Sequence, residues 1–221
     1  HLAVAAVPAG RARLQQWFTL YQQEHSGVRF ELLPMTAARA EGALAQGQVD
    51  LALLDRPPAS SYQGVITATS VAEEPIAVVV HPGNRLDDLS SVAITGLLSG
   101  QVPAWSQVGG GTLPVRIYLP PDSSGEVVAF AAQAMVGQHL SSGALIRSEA
   151  ASVVRAVSQD PGGIGLAPAG ETAAEVDVLR VDGVLPAEEG YPWRMPLFLA
   201  WGKHSPPAAR FFLHFVLALA M

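Results

Sequence analysis

The amino-acid sequence predicts an α/β protein, and three observations carry that prediction. Short apolar strands alternate with amphipathic helical stretches through about the first sixty residues. No hairpin turn joins consecutive strands there, so we expect parallel strands connected by helices. Hydrophobic residues make up 49% and charged residues 14% of the 221, which is the balance of a folded chain with a sizeable core.

Hydrophobic periodicity places the individual elements. The apolar stretch 2–7 predicts a first strand, and apolar residues at helical spacing predict a helix over 11–25. Further strands are predicted at 28–33, 49–54, 65–72, 75–80, 115–119, 164–167, 176–181 and 196–201. Further helices are predicted at 37–46, 95–100 and 152–159, and from about 125 and about 205 onward. No repeat of fixed period is found.

Charge and composition exclude several classes of protein. A formal charge of −6, without any cluster of lysine and arginine, argues against a nucleic-acid partner. The chain has no cysteine, so it has no disulfide and no thiolate metal site, and we expect neither a metal nor another cofactor. The longest apolar run, at 211–221, is too short to span a bilayer. The chain begins at His1 rather than Met, which fits the removal of a signal peptide.

The stretch around Asp122 is the most informative local motif. A strand at 115–119 leads into the turn Asp122-Ser123-Ser124, and a helix begins at about Gly125. Aspartate and serine side chains in such a turn accept hydrogen bonds from the free amides of a helix N-terminus. A serine-rich turn at a helix start also presents those amides to a small anion. The motif alone leaves both a helix cap and an anion site open.

No catalytic motif is found. The six histidines form no metal-type pair at i, i+4 spacing, and Ser124 lies outside a Gly-x-Ser-x-Gly elbow. The glycine runs at 109–111 and 162–165 lack the flanking residues of a P-loop and of a dinucleotide fingerprint. Asp55 and Glu126 would serve acid–base chemistry only as a close pair, and the sequence does not give their separation. We therefore expect a binding protein and not an enzyme.

Several segments, taken in order, resemble the phosphate-binding proteins of ABC importers. The resemblance covers nearly the whole chain, and the order of the segments is more specific than any one motif. The segments are residues 75–84 (Pro-Ile-Ala-Val-Val-Val-His-Pro-Gly-Asn), Leu89, residues 94–100, Trp105, residues 115–118, residues 122–125 (Asp-Ser-Ser-Gly), residues 154–157, residues 161–165 (Pro-Gly-Gly-Ile-Gly), residues 190–197 and residues 209–216.

This resemblance implies the two-lobed, type II periplasmic-binding-protein fold. Its α/β lobes have mixed, mainly parallel sheets with flanking helices, and two hinge strands join them. The crossings are expected near 76–80 and near 191–196. Residues 1–77 and 192–221 would then form lobe one and residues 78–191 lobe two, with the ligand in the cleft between them.

The resemblance also implies a ligand site made of helix N-termini, hydroxyls and an aspartate. The ligand-binding residues it assigns are Ala9, Gly10, Thr36, Asp55, Ser123, Ser124, Gly125 and Glu126. Ala9 and Gly10 would offer only backbone amides, because their loop has no hydroxyl residue. Asp55 would accept the ligand's own proton, since an unpaired carboxylate facing a fully charged anion is costly once desolvated.

Some of these residues also fit plainer roles. Thr36 fits an ordinary N-cap, and Asp55 fits either the turn into Pro57-Pro58 or an ion pair with Arg56. Trp105 and Tyr118 would lie near the cleft or hinge, where packing in the core is the simpler expectation.

The chain departs from the family pattern at two positions. Residues 119–121, Leu-Pro-Pro, stand where the family has an arginine, so the bidentate donor to phosphate is missing. Glu126 stands where threonine is usual, and it offers the helix start a competing internal anion. The basic residues near the three loops that would replace the missing charge are Arg11, Arg39 and Arg56, of which Arg11 and Arg39 are expected to face solvent.

The resemblance implies an extracytoplasmic solute-binding protein that closes on a small oxyanion, phosphate first among the candidates. Such a protein would act as a monomer in the periplasm or at the cell surface, where a lipid anchor on the precursor is compatible with the sequence, and would dock to a membrane ABC permease. The alternative is a degenerate binding-protein-like sensor or interaction module that takes a different solute or none. The departures at 119–121 and at Glu126 favour this alternative, whereas Asp55, Thr36 and the serine turn favour an oxyanion.

Overall fold

The computed structural model describes residues 1–219, which divide into two units. Unit 1 consists of residues 1–74 together with residues from 196 onward, and unit 2 consists of residues 75–195. The lobe boundaries expected from the sequence, 77/78 and 191/192, stay a prediction.

The secondary structure alternates between strands and helices along the chain. The strands are β1 (Leu2–Ala6), β2 (Phe30–Pro34), β3 (Leu51–Leu54), β4 (Ile66–Val80), β5 (Asp88–Leu89), β6 (Arg116–Leu119), β7 (Leu145–Ile146), β8 (Gly163–Pro168), β9 (Asp177–Val178), β10 (Arg180–Val181) and β11 (Arg194–Gly202). The helices are α1 (Arg11–Glu24), α2 (Ala37–Ala45), α3 (Ser91–Leu98), α4 (Gly125–Ala134), α5 (Ala150–Ser158) and α6 (Pro207–Leu219). Short 3₁₀ helices lie at Pro8–Gly10, Ser60–Tyr62, Trp105–Val108 and Ala169–Glu171.

The sheet of unit 1 has the strand order β2-β1-β3-β11. Strand β1 is parallel to both neighbours, so that Ala6 lies opposite Pro34 of β2 and Leu53 of β3. Strand β11 is antiparallel to β3, with Leu199 opposite Leu53. The carboxyl ends of β1, β2 and β3 therefore meet at one edge of this sheet.

Both faces of this sheet are covered, because alternate residues of each strand point to opposite faces. On one face, Leu53 and its neighbours pack against α1 and α6, where Phe18 stacks on Phe30 with ring centroids 4.0 Å apart. On the other face, Ala52 and Leu54 pack against Leu44 of α2. Helix α1 buries Leu14, Trp17, Phe18 and Tyr21, which is the helical spacing expected from the sequence.

The sheet of unit 2 has the order β4-β8-β6-β7, with β9 paired to β4. Strand β6 is parallel to β7 and β8, whereas β8 and β9 are antiparallel to β4. Helix α5 covers this sheet through Val153 and Val157, and a separate parallel pair joins β5 to β10. The predicted fold class, mixed α/β with mainly parallel strands and flanking helices, is confirmed.

Three local predictions are wrong. The two strands predicted at 65–72 and 75–80 are one continuous strand, β4. The strand predicted at 176–181 is two short strands, β9 and β10, which pair with different partners. Helix α3 begins at Ser91 and not near residue 95, because the Ser90 hydroxyl accepts a hydrogen bond from the Ala93 amide at 3.2 Å and caps the helix there.

Candidate functional site

Three loops of unit 1 gather at the carboxyl edge of its parallel strands. The Val7 amide donates to the Leu53 carbonyl at 3.1 Å, and the Met35 amide donates to the Ala6 carbonyl at 3.0 Å. These two bonds hold together the chain segments that leave β1, β2 and β3. Those segments carry four of the residues that the sequence assigned to a ligand site: Ala9, Gly10, Thr36 and Asp55.

The loop after β1 is a 3₁₀ helix, Pro8–Gly10, that leads directly into α1. Ala9 and Gly10 are both buried. The Gly10 amide donates to the Val7 carbonyl at 3.2 Å, so this predicted anion donor is engaged within its own loop. A Cβ atom at residue 10 would overlap the Leu53 side chain, which explains why glycine stands here.

Thr36 is the N-cap residue of α2, as the sequence predicted, but its hydroxyl makes no capping bond. Its side chain is exposed. Ser90, by contrast, caps α3 through its hydroxyl at 3.2 Å. The amides of the first turn of α2 lack intrahelical partners, so the Thr36 hydroxyl and these amides together form a set of donors at the helix start.

Asp55 follows β3 directly and is half-buried. Glu41 of α2, a residue that is only 1% exposed, holds the loop that carries Asp55. Arg56 binds the Glu41 carboxylate through both of its terminal nitrogens, at 2.7 and 3.4 Å, and the Ala59 amide donates to it at 3.1 Å. Arg56 therefore pairs with Glu41, a pairing that no sequence pattern indicated.

The serine turn belongs to unit 2, between β6 and α4. Helix α4 begins at Gly125, as predicted, with Ser124 as its N-cap residue. The Ser124 hydroxyl donates to the Pro121 carbonyl at 2.8 Å and makes no capping bond to the helix. Ser123 is exposed, whereas Gly125 and Glu126 are buried in the first turn. The sequence prediction that these hydroxyls accept from the helix amides is therefore wrong for Ser124.

The distribution of charge near these loops differs from a simple phosphate site. Glu126 is 5% exposed and places a carboxylate in the first turn of α4. Arg11 and Arg39 are exposed, as the sequence suggested, and Arg56 is bound by Glu41. Arg13, in the first turn of α1, forms an ion pair with Glu74 at 3.4 Å. Of the three arginines proposed from the sequence, Arg56 is thus engaged by Glu41, whereas Arg11 and Arg39 form no ion pair among residues 1–219.

The two aromatic residues singled out in the sequence have packing roles in unit 2. Trp105 is 2% exposed, and its indole nitrogen donates to the Gly162 carbonyl at 3.0 Å. The Tyr118 hydroxyl donates to the Asp160 carboxylate at 2.7 Å, and burial, followed by Asp160, raises the pKa of Tyr118. Both side chains are part of the framework of the unit.

Among residues 1–219, no group of histidine and acidic side chains is arranged to hold a metal ion. In this described part of the chain, no helix is long and apolar enough to cross a membrane.

Comparison with known proteins assigns the chain to a superfamily of binding proteins. A model of the PBP superfamily domain matches residues 3–191, and the chain belongs to that superfamily. Within it, the similarity is to phosphate-binding proteins. The chain is 28% identical over 153 residues to the phosphate-binding protein PstS of Bacillus subtilis (strain 168), a match that covers 66% of this chain and 48% of that protein. It thus spans about half the length of this relative.

Solved structures give the same fold. A putative phosphate ABC transporter substrate-binding protein from Clostridium perfringens, with bound phosphate, superimposes with a TM-score of 0.83 over 97% of this chain and 92% of that one, at 18% identity. The effector-binding domain of QuiR in complex with shikimate superimposes with a TM-score of 0.70 over 99% of this chain and 96% of that one, at 16% identity. Type II periplasmic-binding-protein architecture is therefore the fold of this chain.

Proposed function

We propose that this protein is a solute-binding protein for a small oxyanion, with phosphate as the first candidate, and that it is not an enzyme. The observation that carries the proposal is the pair of helix starts at Thr36 and Ser124. Each has a hydroxyl residue at its N-cap position, and neither hydroxyl caps its helix, although Ser90 of α3 does. At α2, where the N-cap side chain makes no capping bond, the first-turn amides are donors of the kind that anions bind.

In unit 1, the proposed donors to the oxyanion are the backbone of Ala9 and Gly10, the Gly10 amide after release from Val7, and the hydroxyl of Thr36. In unit 2, the turn from Ser123 to Gly125 is proposed as a further anion-binding segment. The Ser124 hydroxyl would have to turn away from the Pro121 carbonyl to donate.

Asp55 would supply selectivity in this site. A carboxylate accepts a hydrogen bond from an oxyanion that still carries a proton, as phosphate does near neutral pH. It repels an anion that has no proton, such as sulfate. Asp55 follows β3 in a loop that the Glu41–Arg56 pair holds in place, so its position is well defined.

The relatives support a role in import. Similar proteins are named as phosphate-binding proteins and as substrate-binding proteins of a phosphate ABC transporter. We propose that this chain likewise binds its ligand outside the cytoplasm, as a monomer that closes on the ligand, and docks to a membrane ABC permease. An extracytoplasmic location would require a signal peptide or a lipid anchor on the precursor.

A second function is a sensor or interaction module built on the same fold, with a different solute or none. The buried Glu126 favours it, because this carboxylate already lies in the first turn of α4, where an anionic ligand would be stabilised. Leucine and proline at 119–121 also leave the site without an arginine. The QuiR effector-binding domain with shikimate has the same fold, which is compatible with a sensor.

A binding panel separates the two functions. Thermal unfolding and calorimetric titration would be run with phosphate, sulfate, molybdate, the organic carboxylate shikimate and a set of neutral solutes. An oxyanion at a hundred times its Kd stabilises the protein by about 2.7 kcal/mol, which is a readily measured shift. Binding of shikimate alone would support the sensor, and no response to any oxyanion would refute the proposed function.

Asp55→Asn then tests the assignment of the site. An amide can donate to an unprotonated oxygen, so the preference for phosphate over sulfate is expected to fall by about tenfold or more. Asp87→Asn, a change at an exposed aspartate of unit 2, is the matched control and should keep the parental preference. Unchanged selectivity in Asp55→Asn would assign Asp55 a structural role only.

A further inference from the structure

A basic groove lies wholly within unit 2, on residues that the proposed oxyanion site does not use. It has a volume of about 680 Å³ and lies along β6, α5 and the turn that joins α5 to β8. We call it the arginine groove. The residues that define it are Arg116, Tyr118, Arg147, Ser152, Arg155 and Asp160.

The three arginines are held in different ways. Arg147 lies over the ring of Tyr118, with its guanidinium carbon 4.9 Å from the ring centroid, and donates to the Ile146 carbonyl at 3.2 Å. Arg155 is exposed in the last turn of α5. Within residues 1–219, no carboxylate lies within ion-pair distance of either guanidinium. Arg116 alone has an acidic neighbour, Asp160, at 3.6 Å.

Asp160 offsets only one of the three arginine charges, and both of its oxygens also accept hydrogen bonds from the framework of the groove. One oxygen accepts the Tyr118 hydroxyl at 2.7 Å and the other accepts the Gly162 amide at 3.0 Å. Its side chain is 15% exposed, whereas that of Arg116 is 62% exposed. Asp160 therefore fixes Tyr118 and the turn, and the groove keeps an excess of positive charge in a chain whose formal charge is −6.

The floor of the groove is rigid. The Gly162 carbonyl accepts from both the Trp105 indole at 3.0 Å and the Arg116 amide at 2.9 Å. A Cβ atom at residue 162 would overlap the Pro114 carbonyl oxygen, so the backbone at this point is closely packed. A site whose framework is fixed in this way loses little entropy when it binds a ligand.

We propose that the arginine groove is a second binding site, for an organic molecule that carries two or more carboxylate or phosphate groups. Guanidinium groups bind both anions through paired hydrogen bonds, and two arginines without acidic partners call for more than one negative charge. The groove is also lined by Leu113, Pro114 and Pro161, which suit the apolar body of an organic ligand more than a bare inorganic ion. Its volume is in the range of small-molecule sites.

The test uses the Trp105 indole as a reporter, because its N–H donates to a residue of the groove floor. Citrate and ADP serve as carboxylate and phosphate probes, and acetate serves as the singly charged control. In ¹H–¹⁵N spectra, citrate or ADP should shift the Trp105 indole signal with saturation, whereas acetate should not. Added salt should weaken binding.

Arginine variants test whether the shift of the Trp105 indole signal depends on the arginines of the groove. Arg147→Gln with Arg155→Gln should weaken binding by about tenfold or more, and Arg155→Gln alone, at an exposed position, should weaken it without affecting folding. Arg85→Gln, at an exposed arginine of unit 2 outside the groove, is the matched control. Asp55→Asn should also bind the probes like the parent, which keeps this result independent of the oxyanion site.

Three outcomes would overturn the proposal. The first is the absence of any shift with both citrate and ADP. The second is equal affinity in the parent and in both arginine variants. The third is binding of a hexaglutamate peptide without binding of citrate or ADP, which would make the groove a contact surface for an acidic protein segment.

Discussion

At the scale of single residues, the Glu41–Arg56 pair shows how a buried charge positions a candidate ligand residue. The Glu41 side chain is 2% exposed and that of Arg56 is 27% exposed. Such a pair need not add net stability, because removing both charges from water is costly. It does, however, fix the geometry of the loop, since the same carboxylate also binds the Ala59 amide at 3.1 Å.

Breaking this pair from the arginine side is expected to be strongly destabilising. Arg56→Ala leaves the buried Glu41 carboxylate without its cation, and we expect a loss of about 3–5 kcal/mol in the free energy of unfolding. Urea denaturation measures it, with Arg39→Ala on the exposed side of α2 as the control. The double variant Glu41→Leu, Arg56→Met should recover most of the loss. A double variant as unstable as Arg56→Ala would show that the cost arises from lost packing of the arginine.

At the scale of elements, glycine sets how closely helix α5 approaches its sheet. A Cβ atom on Gly165 of β8 would lie 2.5 Å from Val153 Cγ1 of α5 and 2.9 Å from the Tyr118 carbonyl oxygen of β6. The added Cβ atom would thus meet a packed helix on one side and a paired strand on the other. Neither moves easily, because Val153 is fully buried and the Tyr118 carbonyl belongs to the sheet.

Gly165→Ala should therefore destabilise unit 2 although alanine favours the folded chain in most unstrained positions. We expect a loss of about 1–3 kcal/mol from overpacking, larger than the gain of about 0.4–1 kcal/mol from the reduced entropy of the unfolded chain. Thermal or urea unfolding gives the difference. Gly27→Ala is the control, since a Cβ there meets nothing within 4 Å. Equal stability of the two variants would mean that α5 shifts freely on the sheet.

Some of the helices and strands could be predicted from the sequence, and others could not. Helix α1 and strand β3 were predictable, because their buried residues repeat with helical spacing or as a continuous apolar run. The single strand β4 was not, because Glu73, Glu74 and Pro75 read as a break. Glu74 is nevertheless accommodated at 7% exposure, where Arg13 of a distant helix pairs with it. Long-range partners of this kind leave no local pattern.

The candidate site also has features that could be predicted from the sequence and features that could not. The start of α4 at Gly125 and the loop positions of Thr36 and Asp55 followed from the order of segments along the chain. The engagement of Arg56 by Glu41, fifteen residues away, did not. Nor did the arginine groove, which is assembled from positions 116, 147, 155 and 160 and depends on how β6 and α5 meet.

At the scale of the whole molecule, each unit contains a tyrosine whose pKa burial raises. Tyr21 lies in unit 1, and Tyr118 and Tyr191 lie in unit 2. Tyr191 is 3% exposed, and its hydroxyl donates to the Ile76 carbonyl at 2.8 Å. The folded protein therefore keeps phenolic protons at a pH at which the unfolded chain has released them.

This difference makes the protein lose stability in alkali. Below the ordinary tyrosine pKa of about 10, the stabilisation that comes from these raised pKa values is fully present. It is lost as the pH rises towards the folded pKa, and for the buried Tyr191 the loss is at most about 1.4 kcal/mol per pH unit. Urea midpoints between about pH 8 and pH 11 should fall accordingly. Tyr191→Phe should be less stable at pH 8 by about 1 kcal/mol, since it lacks the bond to Ile76, yet should show a shallower decline above pH 10. An equally steep decline in the variant would mean that Tyr191 ionises without unfolding unit 2, and that the other groups carry the alkaline transition.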